Sequence, residues 1–237
     1  MTGGKRLAGR IAVVTGASRG IGAAVARRFA AEGAHVVLIA RTVGALEEID
    51  DAVRAAGGAA TLVPLDLRDL DRIDPLGPSL YQRFKKLDIL VANAGLLGTL
   101  GPLAHHDARL WDDVFKVNLT ANWRLIRTLE PLLRLSDAGR AIFLTSGAAQ
   151  MAQAYWGAYS TAKAALEVMV KTWAAELVKT KIRVNLLSPG PIRTAMRAEA
   201  FPGEDPFSLR PPEAILQSFV DLAAPDCVRH DEIVKGY

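Results

Sequence analysis

The chain has 237 residues, 29 basic and 25 acidic, for a formal charge of +4. Half of the residues are hydrophobic and 23% are charged, which excludes an extensively disordered chain, and the small, dispersed charge argues against a nucleic-acid binder. The one cysteine, Cys227, excludes an internal disulfide and a cysteine-based zinc cluster, and a chain this long buries enough apolar surface to fold without either.

No apolar run reaches the ~18–20 residues that a membrane span needs. Lys5, Arg6 and Arg10 precede an apolar run at 11–15, but glycines and Arg19 follow at once. The run therefore reads as a buried strand and not as a signal-peptide core. A reducing cytoplasm is the expected compartment.

Strand-like runs then alternate with helical patterns. A strand at 11–15 leads into a helix at 21–32 that stops at Gly33. A strand at 35–40 precedes an amphipathic helix at 45–56, closed by Gly57 and Gly58. A third strand is expected at 61–65. The stretch 70–86 is helical, but Pro75 and Pro78 predict a late or broken start. A fourth strand at 88–92 is followed by one long helix at 110–135, with Pro131 near its end. A fifth strand at 141–145, a helix at 158–179 and a sixth strand at 183–187 complete the regular part. Continuous Val, Ile and Leu runs imply strands buried on both faces. That points to an α/β fold in one domain, a Rossmann-like, doubly wound parallel sheet of about six or seven strands covered by helices. Residues 194–212, with four prolines and Phe201 and Phe207, read as a loop or lid over the site. The tail is weakly patterned, and 230–237 is the place for a short last strand.

The first strand feeds into Thr15-Gly16-Ala17-Ser18-Arg19-Gly20-Ile21-Gly22. Glycines there allow a tight turn and close backbone approach to a pyrophosphate, and the following helix offers free N–H groups and a positive dipole end. The second strand ends Ile39-Ala40-Arg41-Thr42. It lacks the carboxylate that would bond a ribose 2′-hydroxyl, whereas Arg41 and Arg19 suit a 2′-phosphate. Isolated surface arginines are usually just solvated, but this pair favours NADP(H) over NAD(H). Asp66, beside Leu67, ends the third strand and is placed to accept from an adenine amino group. Asn93-Ala94-Gly95 lines the same carboxyl edge of the sheet, where such folds bind ligands.

Ser146 follows the fifth strand, and Tyr159 and Lys163, four residues apart, share a helix face. A free tyrosine, with a pKa of about 10, is a poor base at neutral pH. A nearby ammonium and the positive ring of an oxidised nicotinamide favour the tyrosinate, and a serine hydroxyl polarises the same substrate oxygen. A Tyr-x-x-x-Lys pair alone is an ordinary helix surface. After Ser146, in a chain with the glycine turn, it reads as an acid–base pair for interconverting a carbonyl and a secondary alcohol.

Together these motifs resemble the short-chain dehydrogenase/reductase family in its single-domain form, over residues 7–196. The resemblance rests on the glycine turn, Asn93-Ala94-Gly95, Asn118, Ser146, Tyr159, Lys163 and Pro189-Gly190-Pro191-Ile192-Arg193-Thr194. It implies that Tyr159 is the general acid/base, that Ser146 orients the carbonyl, and that Lys163 holds the nicotinamide ribose. Asn118 would hold a water linking Lys163 to solvent. Pro189, Gly190, Ile192 and Thr194 would grip the nicotinamide end. The resemblance also implies a homodimer or homotetramer, paired through the helices at 110–135 and 158–179, and no resident metal. The chain ends without the family's Asp-Gly-Gly segment, which leaves the last strand open.

An apolar substrate pocket is expected from Leu96, Leu97, Ala148, Met151, Tyr155, Trp156, Met196 and Phe201, with Gln150 and Gln153 as polar selectors. The alternative reading is a 3-oxoacyl-thioester reductase, with Arg124, Arg127 and Arg134 docking an acidic carrier protein. A sensor that binds NADP(H) without chemistry has no need of Asn118, Ser146, Tyr159 and Lys163 together.

Overall fold

The computed structural model describes residues 4–237. Seven strands form one wholly parallel sheet: Ile11–Thr15 (β1), His35–Ala40 (β2), Ala59–Pro64 (β3), Ile89–Ala92 (β4), Arg140–Leu144 (β5), Arg183–Ser188 (β6) and Ile233–Lys235 (β7). Their order is β3-β2-β1-β4-β5-β6-β7. The β-branched and leucine-rich runs form the centre because both faces are covered, and β4 and β5 are buried along their whole length. The chain winds outward from β1 in one direction and from β4 in the other. The crevice between these two strands is therefore the expected ligand site of such a sheet.

The helices are Gly20–Ala31 (α1), Val43–Ala55 (α2), Leu76–Phe84 (α3), Ala108–Phe115 (α4), Ala121–Arg134 (α5), Gly157–Glu176 (α6), Ala195–Ala200 (α7) and Leu216–Ala223 (α8). One core joins the sheet to α1, α2 and α8 through Phe29, Leu46 and Phe219. The other joins it to α3, α5 and α6 through Leu80, Leu125 and Trp173. Strand alternation supplies both, Ala12 and Val14 facing the first and Val13 the second. Each fully buried phenylalanine contributes about 1.5–3 kcal/mol. No helix among the described residues is long and apolar enough to cross a membrane.

One element differs from the sequence expectation, the long helix at 110–135, and two that the sequence left open take definite form. The stretch 70–86 splits into a 3₁₀ turn at Leu70–Arg72 and α3, with Pro75 at the N-cap of α3 and Pro78 in its first turn, where a missing N–H costs little. The long helix at 110–135 is interrupted by a π turn at Lys116–Thr120, which separates α4 from α5. The tail does form a strand, β7, in parallel register with β6, Leu186 opposite Ile233 and Leu187 opposite Val234.

At the amino edge of the sheet the Asp88 carboxylate accepts from the Ile11 N–H (2.9 Å), Lys86 Nζ (3.0 Å) and the Ser136 hydroxyl (2.5 Å). Arg10, also buried, donates to the carbonyls of Asp88 and Ala138. These bonds stitch β1, β4 and the end of α5 together below the core, away from the crevice.

Candidate active site

A cleft of about 640 Å³ runs along the carboxyl edge of the sheet. Its floor is bare backbone. Gly16 has φ +65°, and a Cβ there would lie 2.8 Å from Asn93 Nδ2 and 3.0 Å from Ala94 Cα. A Cβ on Gly22 would lie 2.2 Å from the Gly16 carbonyl oxygen. Only glycine lets α1 sit this close to the turn. Arg19, at the N-cap of α1, makes no side-chain cap bond, so the first-turn N–H groups of α1 are free to meet an anion. Ser18, Gly20 and Ile21 line the same wall. This cradle fits a dinucleotide pyrophosphate.

Asn93 takes a supporting position. Its Nδ2 donates to the carbonyls of Thr15 (2.8 Å) and Gly16 (3.3 Å). The Thr15 hydroxyl accepts from the N–H groups of Asn93 (3.1 Å) and Ala94 (3.0 Å). The end of β4 is thereby fastened to the glycine turn, with Ala94 and Gly95 left facing the cleft.

At one end the cleft is lined by Ile39, Ala40, Arg41, Thr42, Leu65, Asp66, Leu67 and Arg68. Arg19 and Arg41 stand exposed at its mouth. Asp66 has a partner that sequence reasoning missed. Arg68 donates to its carboxylate through Nη2 (2.6 Å) and Nε (3.1 Å), and through its backbone N–H (3.0 Å). Arg68 also reaches Asp113 on α4, at 3.4 Å. Hydrogen bonding from Arg68 outweighs burial and holds the Asp66 carboxyl below its usual range. The two-residue spacing at a strand end was the signal available.

At the other end stand Ser146, Tyr159 and Lys163. Ser146 closes β5 and caps the short 3₁₀ turn Gly147–Gln150, accepting from the Ala148 N–H. Tyr159 and Lys163 project from the first two turns of α6 and are buried. Burial pushes the Tyr159 phenol up, and its hydrogen bond with Ser146 opposes that. Lys163 donates to the Leu144 carbonyl at 2.7 Å. Burial lowers its pKa to about 8, opposed by the charge of Glu167.

Asn118 lies in the π turn, fully buried. Its Oδ1 accepts from the Leu96 N–H and its Nδ2 donates to the Leu96 carbonyl, both at 2.8 Å. Its own carbonyl accepts from Asn122. A π turn presents its side chains off the α-helical phase, a geometry frequent at functional sites. Pro189, Gly190, Ile192 and Thr194 line the cleft beyond β6. Gly190 is backed by the Tyr237 ring, whose Cδ1 is 2.6 Å from where a Cβ would stand.

The outer wall is apolar: Leu96, Leu97, Trp156, Met196, Ala200 and Phe201. The Trp156 ring meets Tyr159 edge-on at 6.0 Å and Phe201 at 5.6 Å. Arg197 packs its guanidinium 3.7 Å from the centre of the Phe201 ring and is bonded twice to Glu204, at 2.6 Å. Ala148 is buried against Leu97 and Tyr159, behind the wall. Met151 and Tyr155 face solvent, 54% and 61% exposed, and Gln150 and Gln153 are exposed beside them. These four do not line the cleft, because the segment after the 3₁₀ turn bends outward and Tyr155 takes a positive φ of 73°. Among the described residues no group of three His, Cys, Asp or Glu side chains is placed to hold a metal ion.

A family model for short chain dehydrogenases matches residues 10–205, and the chain belongs to that family. Its fold is accordingly the Rossmann-like fold of these enzymes, and it is an oxidoreductase. It is 36% identical to "Uncharacterized oxidoreductase YciK" of Escherichia coli over 93% of this chain and 88% of that one. It is 33% identical to 2,3-dihydro-2,3-dihydroxybenzoate dehydrogenase of Bacillus subtilis over 81% and 74%. Among solved structures, a Shigella flexneri short chain dehydrogenase complexed with NADP superposes with a TM-score of 0.95, at 34% identity and 99% coverage of both chains.

Proposed function

We propose that this enzyme interconverts a carbonyl and a secondary alcohol with NADP(H), in preference to NAD(H), and that Tyr159 is its general acid/base. The observation that carries this reading is the Ser146–Tyr159–Lys163 group, its tyrosine and lysine buried, at one end of a cleft whose middle is a bare glycine cradle. When bound, the nicotinamide supplies or accepts the hydride. The chain does the rest. Gly16, Ser18, Gly20, Ile21 and Gly22 seat the pyrophosphate. Arg19 and Arg41 take the 2′-phosphate, and Asp66 and Leu67 border the adenine. Asn93 braces the turn, while Ala94 and Gly95 give the ribose a wall without side-chain bulk. Pro189, Gly190, Ile192 and Thr194 hold the nicotinamide end. Tyr159 gives its phenolic proton to the carbonyl oxygen, Ser146 donates to the same oxygen, and Lys163 stabilises the tyrosinate. Asn118 holds the Leu96 backbone at the wall, and through the π turn positions the water that links Lys163 to solvent.

The NADP complex of the Shigella relative, and a similar Escherichia coli structure complexed with NADPH (TM-score 0.93, 34% identity), support the cofactor choice. The whole chain acts as one domain, with 194–212 as its lid. The apolar outer wall favours a hydrophobic carbonyl substrate. Carrier-protein docking is disfavoured, since Arg124 and Arg127 are paired with Asp74, and Arg134 with Glu130. Leu110, Trp123 and Val168 stand exposed on α4, α5 and α6, which supports a homo-oligomer built on those helices in the cytoplasm. Sedimentation as a monomer at working concentration would remove that last point. The deciding experiment is a fluorescence titration with NADPH and NADH side by side. Tight NADPH binding with weak NADH binding supports the reading, and the reverse preference overturns it.

A further inference from the structure

The last residue of β5 and the two residues after it face α6 one turn at a time. The Leu144 carbonyl accepts from Lys163 Nζ (2.7 Å), the Thr145 hydroxyl donates to Glu167 Oε1 (2.5 Å), and Ser146 stands beside Tyr159 in the cleft wall. Residues 159, 163 and 167 are spaced four apart and share one helix face. The first and last of these contacts belong to the chemistry proposed above. Glu167 does not, and no motif singled it out, yet it is 9% exposed. A buried carboxylate is costly unless other groups compensate for it. Its hydrogen-bond partner is the Thr145 hydroxyl, and the Lys163 ammonium stands one turn away on the same helix face.

The other surroundings of Lys163 do not supply that charge. On its own helix Tyr159 is a neutral phenol, and the segment just after β5 brings the hydroxyls of Thr145 and Ser146. The π turn brings the neutral Asn118, and its Lys116 is near Asp113 at 3.9 Å. On α4, Asp113 is taken up by Lys116 and Arg68, and the remaining charged groups facing this side are Arg109 and Asp112. Arg183 of β6 donates to the carbonyls of Thr180 and Ile182. The Gly147–Gln150 turn carries no titratable group. Glu167, one turn along the same helix face, is the carboxylate whose charge opposes the effect of burial on Lys163.

We propose that Glu167 is a positioning residue of this active site: through Thr145 it fixes α6 on the end of β5, and its carboxylate secures the positive charge on Lys163. The inference rests on the function proposed above for its catalytic meaning, but not for its test. Removing the carboxylate makes the buried ammonium easier to deprotonate, so Lys163 titrates at lower pH. Cofactor affinity and carbonyl reduction then fail at lower pH on the alkaline side.

The test is the NMR titration of the Lys163 side chain in the ligand-free enzyme, assigned by Lys163→Arg, in wild type and in Glu167→Gln. Glutamine keeps an oxygen that accepts from Thr145 and removes the charge. Lys163 is expected to titrate at least about one pH unit lower in the variant, while Glu167→Asp returns it toward wild type. An unchanged titration overturns the proposal. So does a glutamine variant that fails to fold, since its bond to Thr145 is retained. NADPH affinity against pH is the second readout. A shifted Lys163 titration with no NADPH binding in wild type sinks the proposed function and leaves the role of Glu167 standing. NADPH binding with an unshifted titration does the opposite.

Discussion

In the proposed function, Tyr159 and the two arginines at the cleft mouth carry separable parts of the activity. Tyr159→Phe removes the proton donor and leaves the cofactor cleft intact. It is expected to lower turnover by about 10²–10⁴-fold with NADPH affinity nearly unchanged, read by steady-state rates beside a binding titration. Arg19→Ala with Arg41→Ala touches only the phosphate. Each charge-assisted hydrogen bond is worth about 1.5–3 kcal/mol, so NADPH affinity should fall at least tenfold while NADH affinity stays put. Equal losses for both cofactors would place the arginines elsewhere. At this scale the sequence was most readable where chemistry forces residue type: a glycine against a carbonyl, a tyrosine one turn from a lysine. It was least readable where partners converge from distant segments. Arg68 and Asp113 are 45 positions apart, and Thr145 and Glu167 are 22 apart. No local pattern announces either pair.

Strands and helices followed hydrophobic period closely, because buried parallel strands and amphipathic helices leave opposite signatures. The π turn left none. Leucines and valines continue through 110–135 with helical spacing, and one extra residue in a turn does not disturb that pattern. Only the pair of hydrogen bonds between the Asn118 side chain and the Leu96 backbone marks the site. Asn118→Ala would leave the partly buried Leu96 N–H and carbonyl without their partners, at up to about 1–3 kcal/mol each. The variant should melt several degrees lower and lose activity together, as seen by thermal denaturation. Normal melting with lost activity would show that the asparagine acts on catalysis alone. β7 was hard to foresee for a different reason. Its three residues are too few for a period, and its place is fixed by neighbours, with Asn185 accepting from the Glu232 N–H and donating to the Arg229 carbonyl.

Across the whole molecule, stability and chemistry occupy opposite edges of one sheet. The polar stitch around Asp88 lies at the amino edge. Burial alone would raise the Asp88 carboxyl, but hydrogen bonds from Ser136, the Ile11 N–H and Lys86 together depress it. A depressed carboxyl contributes stability above its unfolded pKa and loses it as pH falls through its folded value. Asp88→Asn should therefore cost about 1.5–3 kcal/mol near neutral pH, with a gap to wild type that closes in acid. Urea denaturation at several pH values measures it, and a gap independent of pH would exclude the ionised carboxylate as the cause.

The crevice opens where β1 lies beside β4, Val13 opposite Leu90, although two other strands separate them along the chain. Such a pairing closes a long loop and comes late, since loop-closure entropy must be paid before the contact rewards it. Thr15 and Asn93 bond across this seam, so the cofactor cradle exists only once the seam has closed. Recovery of NADPH fluorescence during refolding should follow the slowest phase of the chain's return, making the ligand a clock for the joining of its two halves.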